Sequence, residues 1–104
     1  MKDIFASVLY SLGSPAVWRK ATDPSVTAQI TVGIKTAGPK DSTVVQAYGI
    51  NARIITMDVA QFPVPPEKFD TVTVNGEDIV LETVHRIMLN ASVSFYRAYA
   101  RGND

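Results

Sequence analysis

The chain has 104 residues, 46% of them hydrophobic and 19% charged, with ten basic and ten acidic side chains and no cysteine. That length supports one domain with a modest core. The missing cysteines exclude a disulfide framework, a thiolate nucleophile and a cysteine-built zinc site. The formal charge of zero argues against a general nucleic-acid binder, which would be net basic. No tract approaches the roughly 18 apolar residues of a membrane span, and a cytoplasmic origin is expected.

Residues 3–12 place Ile4 and Val8 at helical spacing, with Asp3 as a cap and Gly13, Ser14 and Pro15 as the stop. This reads as a short amphipathic N-terminal helix over 1–13 rather than a signal peptide. Residues 16–21 (AVWRKA) form a short strand, with Val17 and Arg19 on one side and Trp18 and Lys20 on the other. Asp23 and Pro24 make a turn. Residues 26–35 alternate with period two. Ala28, Ile30, Val32 and Ile34 face one way, as in a half-buried strand.

Residues 36–42 (TAGPKDS) read as a polar, mobile loop. Residues 44–59 read as one long bent strand or two strands, with Gly49 at the bend. Three prolines, at 63, 65 and 66, make 60–70 an extended connection. Asn75 and Gly76 then sit between two runs rich in β-branched residues. Both tolerate the positive φ that a two-residue type I′ hairpin turn requires. Val74 should face Glu77, Thr73 should face Asp78 and Val72 should face Ile79. Val72, Val74, Ile79 and Leu81 then share one face. Residues 91–100 close the chain as a strand in which Phe95 and Tyr96 point to opposite sides, one to the core and one to the surface. The sum is a mainly β single domain over 1–104. It is a small antiparallel β-barrel or strongly twisted sheet with a short N-terminal helix and strands over 16–100.

The motifs of catalysis are sparse. His85 is the single histidine and lacks a second histidine, a cysteine or an HExxH spacing, so a packed or half-exposed structural role is expected. Glu77, Asp78 and Glu82 flank the hairpin turn, where acids are usually solvated. Ser11 and Ser14 do not form a GxSxG elbow, and no Walker A or GxGxxG motif occurs. The triplet Asn90-Ala91-Ser92 matches a glycosylation sequon, a common chance match. Neither an enzymatic activity nor a cofactor or metal is expected.

Charge is uneven along the chain. Basic residues dominate 1–40 and 83–101, whereas seven acids against Arg53 and Lys68 occupy 41–82. Two oppositely charged faces would follow, suited to steering association. The interface candidates are Lys35, Lys40, Arg97 and Arg101, expected to meet Asp70, Glu77 and Asp78 of a neighbour. Trp18, Tyr48, Phe95, Tyr96 and Tyr99 serve as core and interface aromatics; near Arg97 and Arg101 they also resemble a single-strand stacking platform.

At 69–87 the order is Asp70-Thr71-Val72-Thr73-Val74, a turn at Asn75-Gly76, then Ile79-Val80-Leu81-Glu82-Thr83-Val84 ending in His85-Arg86. Arg53-Ile54-Ile55 and Asp58-Val59 precede it. This resembles the small head–tail joining (head–tail attachment) proteins of long-tailed bacteriophages, the group that includes the lambda joining protein, loosely over residues 16–100. The resemblance implies a β-barrel-like subunit of a ring in the virion neck, assembled in the host cytoplasm. The ring would lie between the portal-side connector and the tail. DNA would pass through it without specific binding, with no catalysis and no membrane. Two alternatives stay open: a tail terminator or tail-completion protein, and a small nucleic-acid-binding β-barrel.

Overall fold

The computed structural model describes residues 13–49, 51–88 and 94–101. The expected N-terminal helix over 3–12 lies outside them. Seven strands among the described residues form one antiparallel sheet: β1 (Ser14–Arg19), β2 (Thr27–Thr36), β3 (Arg53–Asp58), β4 (Thr71–Val74), β5 (Glu77–Val80), β6 (Thr83–Met88) and β7 (Ser94–Ala100). Their order is β5-β4-β1-β2-β3-β7-β6. The fold is mainly β, a strongly curled half-barrel. Its inner face is filled by Trp18, Ile30, Val32, Ile55, Met57, Val72, Leu81, Tyr96 and Ala98.

The expected hairpin is present in the expected register. Val74 pairs with Glu77, Thr73 with Asp78 and Val72 with Ile79. Asn75 and Gly76 both hold positive φ, +53° and +79°, the pair of angles a type I′ turn demands. Val72, Val74, Ile79 and Leu81 are buried while Val80 points outward. The turn at Asp23 also forms. Its carboxylate accepts from the Ser25 N–H and hydroxyl, an Asx arrangement that closes the β1–β2 connection.

Two readings are corrected. Residues 44–48, expected at the start of a strand, belong instead to a helix, α1 (Ser42–Tyr48). The supposed loop before it holds a 3-10 turn, Pro39–Asp41. The Asp41 carboxylate ties this turn down. It accepts from the Gly38 N–H at 2.9 Å and pairs with Lys35 at 3.3 Å. Val44, Val45 and Tyr48, spaced three and four apart, are the half-buried side of the helix. Gly49 (φ +94°) and Asn51 (φ +64°) then turn the chain into β3.

The second correction concerns 77–88, which is not one hairpin strand. β5 pairs with β4 and β6 pairs with β7, at opposite ends of the strand order, yet only Leu81 and Glu82 separate them. The Leu81 N–H donates to the Asp70 carbonyl, whereas the Glu82 N–H donates to the Tyr99 carbonyl. The chain thus changes partner between adjacent residues. This corner brings the two ends of the curled sheet together, and it carries no glycine or proline to mark it.

Candidate interaction surfaces

One corner of the molecule is fixed by a buried acid. Asp70 is 1% exposed. Its carboxylate accepts from Trp18 Nε1 at 2.9 Å, from the Ala21 N–H at 2.8 Å and from the Glu67 N–H at 2.8 Å. Three donors satisfy the charge and remove most of the cost of burying it. Asp70 was expected to face a neighbour; instead it is an internal brace locking the loop at 67–70 to β1. Outside it, Lys20 pairs with Glu67, and that hydrogen bond is the main reason the Lys20 pKa is raised above its ordinary value.

The same corner contains a half-exposed aromatic in an unfavourable backbone conformation. Phe69 is 53% exposed and holds φ +74°. The Asp70 N–H donates to the Glu67 carbonyl, which makes residues 67–70 a β-turn with Phe69 third. Positive φ at that position is the type II geometry that favours glycine or asparagine. The Phe69 N–H donates to the Leu81 carbonyl at 2.6 Å, and the Leu81 N–H returns a bond to Asp70 at 2.9 Å. Phe69 and Asp70 therefore oppose Leu81 in a β-bulge whose first position is ordinarily a glycine. The Lys68 ammonium lies 4.9 Å from the Phe69 ring centre. Sequence reasoning missed this residue, because nothing around Phe69 announces a positive φ.

The outer face of β2, β3 and β7 carries a groove of about 430 Å³ beside α1, lined by Ile34, Lys35, Asp41, Val44, Ile54 and Arg97 among others. It brings together two of the predicted interface residues, Lys35 and Arg97. Tyr48 closes one side by stacking on Tyr99 at 5.5 Å and bonding its hydroxyl to that of Thr83. Lys40 stands exposed on the adjoining 3-10 turn. Arg97 lies 5.4 Å from the Phe95 ring. Phe95 and Tyr96 do point to opposite faces, but both are buried, so the expectation that one would be surface is corrected. Tyr96 is inside, in edge contact with Phe62, which also meets Trp18 edge-on at 5.3 Å.

A second cleft, of about 210 Å³, lies between β5 and the end of β7 and is lined by Arg53, Glu77, Asp78, Glu82 and Arg101 among others. Here Glu77, Asp78 and Arg101 of the predicted set meet. Opposite charges also partner within the chain. Arg53 bonds Glu77 at 2.8 Å, Arg101 bonds Glu82 at 2.8 Å and Thr73 donates to Asp78. Surface pairs of this kind contribute about 0–1 kcal/mol. His85 is exposed on β6, in register with Arg97 and 6.1 Å edge-on from Tyr99. Among the described residues no cluster of three or more His, Asp or Glu side chains could hold a metal ion, and no helix is long and apolar enough to cross a membrane.

No family model, no curated protein and no solved structure matches this chain.

Proposed function

We propose that this is an assembly protein that acts through its outer surfaces, and more particularly a head–tail joining component of a long-tailed bacteriophage or prophage. Copies would form a ring between the portal-side connector and the tail. One observation carries the reading: charge and apolar area gather on unlike surfaces around a filled interior. The groove holds Lys35 and Arg97 against Asp41, while the cleft holds Glu77, Asp78 and Glu82 against Arg53 and Arg101. Head-to-tail contacts close a ring only when the two touching patches differ. Because the domain interior is packed, the DNA path would run between subunits. The pattern at 69–87 that resembles joining proteins supports the same conclusion.

The test is to mix purified tail-less heads and free tails with and without the protein. Infectious yield should rise by orders of magnitude with it. An unchanged yield would reject the role.

A further inference from the structure

We infer that Phe69 is the anchor by which one copy of this chain grips the next, seating in the groove between α1 and the outer face of β2, β3 and β7 of its neighbour. The inference rests on the ring reading above and names the contact that would build it.

Three observations converge. Phe69 is 53% exposed, although aromatic side chains carry much of the energy of protein interfaces. It keeps a φ of +74°, which a bulky side chain adopts only at a cost in strain and glycine adopts freely. Folding alone does not favour Phe here, and strain of this kind collects where a side chain must be presented. The corner is also rigid. Asp70 is held by Trp18, Ala21 and Glu67, and the Phe69 N–H is held by Leu81. Binding would therefore spend little ordering entropy.

The occupant follows from what the groove offers. Its apolar wall is Val44 and Ile54, both half-buried. Its volume of about 430 Å³ admits an aromatic ring. Lys35, Asp41 and Arg97 at the rim complement Glu67 and Lys68 beside Phe69. An Arg97 guanidinium over an incoming ring adds a cation–π contact. Phe69 precedes β4, while the groove belongs to β2, β3 and β7, so donor and acceptor patches differ as ring closure requires.

Sedimentation velocity across a concentration series, with wild type and Phe69→Gly, tests the contact. The wild type should self-associate. Phe69→Gly should weaken that association at least about tenfold, while its Tm at dilutions where both proteins are monomeric stays equal to or above wild type. Benzoylphenylalanine in place of Phe69 should photo-crosslink to the groove segments at 33–35, 41–48, 53–58 or 97–99 of a second copy. Wild-type association by Phe69→Gly, crosslinks confined to other segments, or a wild type that stays monomeric at every concentration would each overturn the inference. Heads and tails joined equally well by Phe69→Gly would sink this contact alone. No joining by the wild type would instead sink the ring reading.

Discussion

Strand β4 has a non-glycine residue at positive φ on each side, and the two are not alike. Asn75 after it holds φ +53° and Phe69 before it holds φ +74°. Asn75 suits its conformation, since its short polar side chain tolerates the left-handed region, and Gly76 completes the turn. Phe69 does not suit its own, and its ring stands half in solvent. The first corner is written for folding. The second uses a buried carboxylate to hold in place a residue that folding would not choose. The lesson is that local consistency marks a structural turn, whereas its failure marks a candidate contact.

Breaking the brace should have the largest effect. Asp70→Ala leaves the Trp18 indole N–H and two backbone N–H groups without their acceptor, and should cost about 3 kcal/mol or more. Urea unfolding would read it as a lower midpoint at constant slope. Next comes the folding turn. A Cβ at Gly76 meets nothing within 4 Å, yet φ is +79°, so Gly76→Val should cost about 1–2 kcal/mol from backbone strain alone. Phe69→Gly should do the reverse and raise stability by about 1 kcal/mol or less. If both corners lose stability on substitution, the contrast between them is wrong.

The smallest effect is a pH dependence away from both corners. The Gly38 N–H chiefly, opposed by some burial and aided by Lys35, holds the Asp41 carboxyl below its ordinary value of 3.8. A carboxyl whose folded value is the lower one stabilises fully above 3.8 and loses that contribution as pH falls through the lowered value. Wild type should therefore lose stability relative to Asp41→Asn below pH 3.8. Thermal melts of the two across the acid range would show a constant difference if the carboxylate were unimportant.

Much of the sheet was legible because period-two alternation and Asn75-Gly76 act locally. Ile30 and Val32 are buried on one shared face, as are Val72, Val74, Ile79 and Leu81, as their alternation assigned, whereas Ile34, grouped with Ile30 and Val32, is 39% exposed. What failed was non-local. Residues 42–48 carry Thr43, Val44 and Val45, which favour strands, and the cues for a helix were Asp41 and Ser42 before the run and Gly49 after it. The partner change at Leu81 and Glu82 depends on where β7 arrives, which no window of 77–88 contains. Of the predicted interface set, Lys35 and Arg97 share the groove, and Glu77, Asp78 and Arg101 share the cleft. Asp70 was misplaced because its donors come from residues about 50 positions away as well as from the adjacent Glu67. Charge alone does not distinguish a surface acid from a braced one.

The most direct measurement is electron microscopy of particles made without this protein. The account predicts DNA-filled heads lying beside separate tails of normal length. Overlong tails would assign it to tail termination, and complete, joined particles would contradict any place for it in the neck.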